Sequence, residues 1–436
     1  MGRDEAAELQ ENRWMRGGFI VLCIGLFVFP YAVRGVRLGS FAAINFVAIL
    51  GVVLFLSGGG LRYFGKGRSS FILAAEILGV CLTLFVILYS VLSGDGKAGV
   101  AFFASSILPL ILIYSALRDL KRCLKIWCIF FSAIMGVLVI CAALNWLSGS
   151  AVSHFFAELF HSAVYSKLAD EGRLVSFMGH PLTGSFVAIC YASSMFACSR
   201  VVREVNPLLY FIPSGIVVLA CSSITGVVIL AFLFFVQNCR TGYYKYLFFA
   251  AIVVCIFFAL NLFDAVLERV STNLSNGDIT SGRNAALARL LDKEILTFEL
   301  FDWRLFSSED PGFVAATEYP PVRLSYRMGL AAAICFCLIA FVLPFIGMLK
   351  SRRWDVCGTA LGLIVVVNTF DGIVSSGDIC WLYSATIMFL IYAANCAPAL
   401  GSTSSTHDDE IGKKRISENH ALHRVPANRG RGNTAR

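Results

Sequence analysis

Long apolar runs alternate with short polar connections along almost the whole chain of 436 residues. A helix needs about 20 mostly apolar residues to cross a bilayer, and this pattern predicts twelve such helices. The predicted spans are residues 17–33, 40–58, 70–93, 98–117, 123–147, 181–199, 207–221, 222–238, 243–263, 325–348, 354–374 and 377–396. Spans 207–221 and 222–238 are short, and one bent hairpin around Cys221 is an alternative that changes the count. The predicted fold class is an all-α polytopic membrane protein with about 12 transmembrane helices.

Two polar stretches interrupt this pattern and define the predicted organisation of the chain. The larger one is predicted to contain short helices, because Asn284 to Leu296 has a helical composition. The tail is polar without an apolar period, which predicts disorder. The chain divides into spans 1–5 (1–147), a first loop (148–180), spans 6–9 (181–263), a large loop (264–324), spans 10–12 (325–396) and a tail (397–436).

The distribution of lysine and arginine predicts the side of the membrane that each loop faces, because short cytoplasmic loops are enriched in both. The alternate connections without this enrichment hold Arg34, Arg37 and Lys97. The enriched connections hold Arg62, Lys66, Arg68, Arg118, Lys121, Arg122, Lys125, Arg200, Arg203, Arg240, Lys245, Lys350, Arg352 and Arg353. Both termini are therefore predicted to be cytoplasmic. In a Gram-negative cell the protein is expected in the inner (plasma) membrane, with both polar loops in the periplasm.

Composition narrows the classes of function. The chain is 58% hydrophobic and 15% charged, whereas soluble domains carry about 25% charged residues. We attribute the net charge of +8 to basic residues in cytoplasmic loops. The sequence shows no stretch that combines aromatic and basic residues, so no nucleic-acid partner is expected. Neither polar loop contains any of the 15 cysteines, which excludes a disulfide framework there. The basic segment at the start of the chain is not followed by a signal-peptide cleavage site. This pattern predicts that the first helix is not cleaved off. Walker, HExxH, GxSxG and CxxC motifs are absent.

Arg283 is a candidate anion-binding residue in the large loop. Thr280 or Ser281 is a suitable N-cap for the helix that follows. Arg283 then lies in the first turn, where the helix dipole disfavours a cation. Free N–H groups, a glycine and a guanidinium together can bind a phosphate. The alternative is a solvated ion pair between Arg283 and Asp278.

Four further residues are candidates at the outer surface. Arg173 and His180 precede Pro181, which begins the next span; the alternative for His180 is an interfacial position without chemistry. Arg323 and Arg327 are four residues apart and share one helix face; the alternative for Arg327 is a side chain that extends to the interface. The acidic residues that flank an outer turn, Asp371 and Asp378, rank below the arginines.

Four short blocks appear in a characteristic order. Arg173 to Gly184 has an arginine, then ten residues, then a glycine. Cys221-Ser-Ser-Ile-Thr-Gly226 begins a short span, Asp278 to Arg283 ends in Ser-Gly-Arg, and Tyr326 to Leu330 ends in Gly-Leu. These blocks resemble motifs of the O-antigen polymerase and ligase family, the Wzy-like integral membrane glycosyltransferases, over residues 150–345. The second block lacks the arginine of the family's Thr-x-Ser-Arg-Gly turn.

The resemblance implies a polymerase for exopolysaccharide or O-antigen. Such an enzyme transfers a growing glycan from undecaprenyl diphosphate onto the next lipid-linked repeat unit at the periplasmic face. Arg173, Arg283, Arg323 and Arg327 are the predicted substrate-binding residues, because guanidinium groups stabilise a diphosphate leaving group. No metal or other cofactor is expected. The implied partners are an undecaprenyl-diphosphate-linked oligosaccharide, the lipid bilayer, a chain-length regulator and a flippase.

The general base has two leading candidates. Ligases of the family carry a His-Asn pair before the Gly-Leu block, but this chain has Glu318-Tyr-Pro-Pro at that place. The missing histidine argues against a ligase. It leaves Glu318 and His180 as candidate catalytic bases.

A flippase for a lipid-linked oligosaccharide or polysaccharide is an alternative function from another class. The charged residues of a flippase are expected within the spans rather than in a large outer loop.

Overall fold

The apolar segments of the chain fold into helices. The computed structural model of the protein describes residues 3–38, 42, 44–57, 70–94, 96–114, 120–238, 251–252, 254–255, 263–275, 283–292, 299–301, 318–369, 372–375 and 377–396. Within these ranges the chain contains helices and no β-strand. The predicted all-α fold class is therefore confirmed for the described part of the chain.

The first half of the chain contains long apolar helices and two short helices in the loop after the fifth predicted span. They are α1 (Arg3–Phe27), α2 (Tyr31–Leu38), α3 (Phe46–Phe55), α4 (Ser70–Ser93), α5 (Gly96–Phe102), α6 (Leu120–Leu147), α7 (Ala151–Leu159), α8 (Ala163–Asp170), α9 (Pro181–Val201), α10 (Leu208–Ala220) and α11 (Ile224–Asn238). Helix α5 continues as a π turn and a 3-10 turn to Tyr114.

The second half contains short polar helices followed by further apolar ones. They are α12 (Asp264–Ser275), α13 (Arg283–Asp292), α14 (Pro320–Met328), α15 (Leu330–Cys337), α16 (Leu343–Leu349), α17 (Trp354–Val367), α18 (Gly372–Ser375) and α19 (Gly377–Cys396). A π turn joins α15 to α16. Helices α12 and α13 and the first part of α14 lie in the predicted large loop (264–324), which therefore contains short helices as expected.

Five of the described helices are long and apolar enough to cross a membrane. They are Ile72–Leu92, Leu120–Leu147, Pro181–Val201, Leu330–Leu349 and Asp378–Asn395. Shorter apolar helices are Phe46–Phe55, Gly99–Tyr114, Leu208–Ala220, Ile224–Asn238 and Trp354–Val367. These helices are compatible with a multi-pass membrane protein.

Two boundaries refine the predicted spans. The segments 207–221 and 222–238 form two separate helices. The helical structure is interrupted between Ala220 and Ile224, where Ser222 adopts a positive φ of 49°. The predicted tenth span began at residue 325, whereas the apolar helix α15 begins at Leu330, after Gly329 with φ 83°. Glycine tolerates this conformation without steric cost. The residues before it, including Arg323 and Arg327, therefore belong to the separate helix α14.

The apolar core lies where α1, α6, α9 and α19 meet. Trp127 and Phe131 of α6 are buried and pack edge to face at 5.1 Å between ring centroids. Phe27 contacts Phe131 at 4.8 Å. Trp127 donates its indole N–H to Ser194 Oγ at 2.9 Å, which satisfies a buried polar atom. Aromatic rings therefore pack the central helices against one another.

Helices α1 and α3 pack at close backbone distance through small residues. A methyl carbon at Gly18 would lie 2.7 Å from the carbonyl oxygen of Gly51 and would also overlap the backbone of Phe55. Backbone atoms cannot rotate out of the way, so only glycine fits here. Helices in membranes commonly approach through such small residues.

Gly18→Ala is expected to destabilise the purified protein by about 1–3 kcal/mol, because the added carbon forces α1 away from α3. The matched control is Gly17→Ala on the same helix, where nothing lies within 4 Å of the added carbon. That change is expected to leave stability unchanged or raise it slightly, since alanine favours helix over glycine. Thermal unfolding in detergent measures both, and equal behaviour of the two variants would contradict the close packing.

Candidate functional site at the loop end of the bundle

Helix α2 lies against the start of α19 and against the segment just before α9, at one end of the helical bundle. We call this end of the bundle the loop end. The backbone N–H of Tyr31 donates to the carboxylate of Asp378 at the start of α19. A methyl carbon at Gly179, just before α9, would lie 2.9 Å from Ala32 Cβ and 2.9 Å from the Tyr165 hydroxyl. Helix α14 contacts α18, which directly precedes α19. The first loop and the last part of the large loop therefore lie at the same end of the helices.

The segment that carries Arg173 packs against the break between α10 and α11. The backbone N–H of Leu174 donates to the carbonyl of Ala220 at 2.8 Å. The buried Arg173 side chain donates from Nε to the carbonyl of Cys221 at 3.3 Å. Helix C-terminal carbonyls favour a cation. The structure thus brings together two blocks, Arg173–Gly184 and Cys221–Gly226, that are 36 residues or more apart in the sequence.

Two glycines permit this contact. A methyl carbon at Gly184 would lie 3.0 Å from Cys221 Sγ. One at Gly226 would lie 2.9 Å from Val218 and would overlap the hydroxyl of Ser185. The glycines of both blocks therefore leave room for close helix packing, which the sequence alone did not indicate.

Ser153 of α7 holds the Arg173 segment in place. Its hydroxyl accepts the N–H of Val175 at 3.0 Å, and its single proton is shared between the carbonyl of Arg173 at 3.0 Å and Oδ1 of Asn145 at 2.8 Å. Asn145, near the end of α6, accepts from the backbone N–H of Ser153 at 2.9 Å. All four residues are buried. Ser153 and Asn145 were not predicted from the sequence, because their hydrogen bonds form only once the chain reverses its direction after α6.

His180 is the N-cap of α9. Its Nδ1 accepts the backbone N–H of Leu182 at 3.2 Å, and Pro181 occupies the first helical position. An imidazole that accepts at Nδ1 is neutral and carries its proton on Nε2. In this geometry Nε2 of His180 is a hydrogen-bond donor rather than a base.

Tyr165 of α8 lies beside His180, with 6.3 Å between the ring centroids. Burial raises the pKa of the Tyr165 hydroxyl above its usual value, and Tyr31 adds to the increase. The hydroxyl therefore keeps its proton at physiological pH. Together with His180 it places two hydrogen-bonding side chains side by side at the loop end.

Arg283 and Glu318 form an ion pair within the large loop. Arg283 begins α13, and Glu318 lies two residues before α14. Nε and Nη2 of Arg283 lie 2.8 Å and 2.5 Å from the same oxygen, Oε2 of Glu318. The side chains are 16% and 35% exposed, so the pair is partly screened but accessible. Both residues were predicted site residues, and the structure brings them together across 35 positions of sequence.

The neighbouring residues form a second contact of the same kind. The Tyr319 hydroxyl donates to Oδ1 of Asn284 at 3.0 Å. Glu318 has a positive φ of 51°, which is uncommon for a residue other than glycine and often marks a functional site. Two consecutive pairs therefore join the start of α13 to the start of α14. Asp278, the partner expected for Arg283 as an alternative, lies outside the described residues.

Arg323 and Arg327 lie one turn apart on α14. Arg323 is partly buried, and its backbone N–H donates to the carbonyl of Tyr319 at 3.0 Å. Helix α14 continues directly from Glu318, so it carries both arginines at the loop end near α18. The side chain of Arg327 lies outside the description.

A buried ion pair at the loop end was not predicted as a pair. Nη1 of Arg34 lies 3.1 Å from Oδ1 of Asp378, and the two side chains are 6% and 2% exposed. Nδ2 of Asn45 donates to the same Oδ1 at 3.0 Å, and Nε of Arg34 donates to the carbonyl of Ala42 at 3.0 Å. This network joins α2, the start of α3 and the start of α19. A charged side chain beside apolar spans costs free energy unless it is paired. This cost was the feature of the sequence that could have indicated a partner for each of the two charges.

Several predicted features fall outside the described residues. They are most of the predicted span 243–263, the candidate caps Thr280 and Ser281, Asp371 and the tail 397–436. Among the residues that the structure does describe, no group of three or more His, Cys, Asp or Glu side chains is arranged to hold a metal ion. Comparisons with family models, with curated proteins and with solved structures found no match to this chain.

Proposed function

We propose that the protein is a polysaccharide polymerase that transfers a growing glycan from undecaprenyl diphosphate onto the next lipid-linked repeat unit. The proposal includes twelve membrane spans, cytoplasmic termini and a reaction at the periplasmic face of the inner membrane. The observation that carries it is the Arg283–Glu318 pair. It combines an anion-binding group and a proton acceptor, which are the two groups that glycosyl transfer from a diphosphate needs.

The chemistry requires one bond exchange and one proton transfer. The oxygen of an acceptor hydroxyl attacks the anomeric carbon of the donor glycan, while the bond from that carbon to the diphosphate oxygen breaks. Lipid diphosphate leaves with the electron pair, and the hydroxyl proton passes to a base. Arginine stabilises the leaving group because its planar fork binds two oxygens in parallel.

Arg283 is suited to the leaving group and Glu318 to the proton. Both donors of Arg283 point to a single carboxylate oxygen, and a diphosphate oxygen can take the same position. A diphosphate that binds Arg283 releases Glu318 from this pairing, and the free carboxylate can accept the proton within about 3 Å of the acceptor hydroxyl. His180 fits the base role less well, because its Nδ1 caps α9.

Replacement of Arg283 tests the leaving-group role. Loss of a charge-assisted hydrogen bond costs about 1.5–3 kcal/mol, which corresponds to a rate loss of roughly 10- to 150-fold. Arg283→Ala is therefore expected to remove most long polymer in cells. Arg283→Lys is expected to restore little, since an ammonium cannot bind two oxygens in parallel.

Arg289→Ala is the matched control, because Arg289 lies on the same helix and is exposed. Polymer length on gels is compared at equal protein level. Normal polymer with Arg283→Ala would refute the leaving-group role, as would equal losses in the two alanine variants.

The topology has its own test. An alkaline phosphatase fusion within residues 296–310 is expected to be active, because that reporter folds only in the periplasm. A fusion at residue 405 is expected to be inactive. The lysine and arginine bias of the alternate connections motivates this expectation. Activity only in the fusion at 405 would reverse the orientation.

A further inference from the structure

An exposed apolar surface follows the end of α6. Its members are Trp146, Leu147, Phe155, Leu159 and Val164, with exposed fractions between 44% and 73%. They lie within residues 146–164 of the chain, across the end of α6, α7 and the start of α8. We call this set the loop patch. A group of exposed large apolar side chains in one short segment is typical of a protein or membrane contact.

The loop patch continues a series of exposed apolar residues on α6. Ile129, Val137, Ile140 and Leu144 are exposed along that helix, and α6 is one of the helices long enough to cross a membrane. Its 28 residues span about 42 Å at about 1.5 Å per residue. The hydrocarbon core is about 30 Å thick. The last turns of α6 therefore reach the headgroup layer, where the patch begins with a tryptophan, as aromatic belts do.

Helix α7 has two distinct faces. Ser153 and Ala157 are buried against the protein. Phe155 and Leu159 are four residues apart, so they share the opposite, exposed face. Glu158 is exposed beside them, and His154 lies 3.8 Å from Asp170. An amphipathic helix with an aromatic apolar face and polar flanks is typical of a helix that lies in the membrane interface.

We propose that α7 lies in the headgroup layer of the leaflet next to the loop end, with the loop patch in contact with phospholipid, and that it sets the depth of Arg173. The link is direct, because the hydroxyl of Ser153 bonds to the carbonyl of Arg173 and to the N–H of Val175. This anchoring keeps the arginine segment at the level of lipid phosphates. It does not depend on the proposed reaction.

Photo-cross-linking tests the contact. Benzoylphenylalanine is placed at position 155 in one variant and at position 171 in another, in nanodiscs of phosphatidylethanolamine and phosphatidylglycerol. Glu171 is exposed on the same loop and serves as the matched position in water. Position 155 is expected to yield roughly tenfold more phospholipid adduct than position 171. Equal yields, or adducts between two protein copies in place of lipid, would overturn the proposal.

Hydrogen exchange tests the link to Arg173. Phe155→Glu combined with Leu159→Glu is expected to raise backbone exchange over residues 171–180, because α7 leaves the interface and Ser153 loses its bonds. The control Glu158→Gln, on the same helix, is expected to leave this exchange unchanged. Unchanged exchange in the double variant would show that α7 does not hold the Arg173 segment.

Discussion

Glu318→Gln is expected to abolish polymer formation and to leave single lipid-linked repeat units in the membrane. Glutamine keeps the size of the side chain and can still accept a hydrogen bond from Arg283, but it cannot take a proton from an acceptor hydroxyl. The change therefore removes the proposed base while the contact between α13 and α14 is largely kept. Lipid extraction followed by mass spectrometry distinguishes single units from longer chains.

His180→Ala is the comparison for this variant. It removes the cap of α9 and is expected to reduce the amount of product without abolishing it, since lost N-caps cost about 0.5–2 kcal/mol of stability. Protein level is measured for each variant. Abolished polymer with His180→Ala and normal polymer with Glu318→Gln would move the base role to His180. Normal polymer in both would show that neither is required.

Asp378→Asn is expected to destabilise the protein by about 3–5 kcal/mol, because it leaves the charge of Arg34 buried without a counter-charge. The carboxylate also accepts from Asn45 and from the backbone of Tyr31, so the change weakens the junction of three helices. Thermal unfolding of the purified protein in detergent measures the effect.

A double-mutant cycle separates pairing from general disruption. Arg34→Met combined with Asp378→Asn removes both charges and is expected to be more stable than the sum of the two single changes predicts. Asp170→Asn is the control, because its pairing with His154 lies at the surface, where Asp170 is 72% exposed, and such pairs contribute little. Additive losses in the cycle would show that the ion pair itself is not the stabilising element.

The hydrophobic pattern predicted the apolar helices among the described residues, but not all their ends. An apolar run identifies a buried or lipid-facing helix regardless of what it packs against. The start of α15 was different, because Gly329 lies inside the predicted span 325–348 and its positive φ of 83° separates α14 from α15. The sequence therefore placed Arg323 and Arg327 at the start of a span instead of on a separate helix.

The candidate site shows the same limit. Glu318 and Arg283 were each identified from local features, a family-like position and a helix start. Their pairing depends on how the residues between them fold, and the ion-pair partner that the sequence suggested for Arg283 was Asp278. Arg34 and Asp378 are 344 positions apart. The cost of a buried charge indicates that each needs a partner, but local patterns cannot identify which one.

Reconstitution tests the central claim most directly. The purified protein is placed in liposomes that contain a single undecaprenyl-diphosphate-linked repeat unit, and the glycan length of the extracted lipids is measured over time. We expect a ladder of lipid-linked oligomers that increases with time and is lost with Glu318→Gln. Movement of intact single units across the bilayer without any longer glycan would contradict polymerase activity and would indicate a flippase.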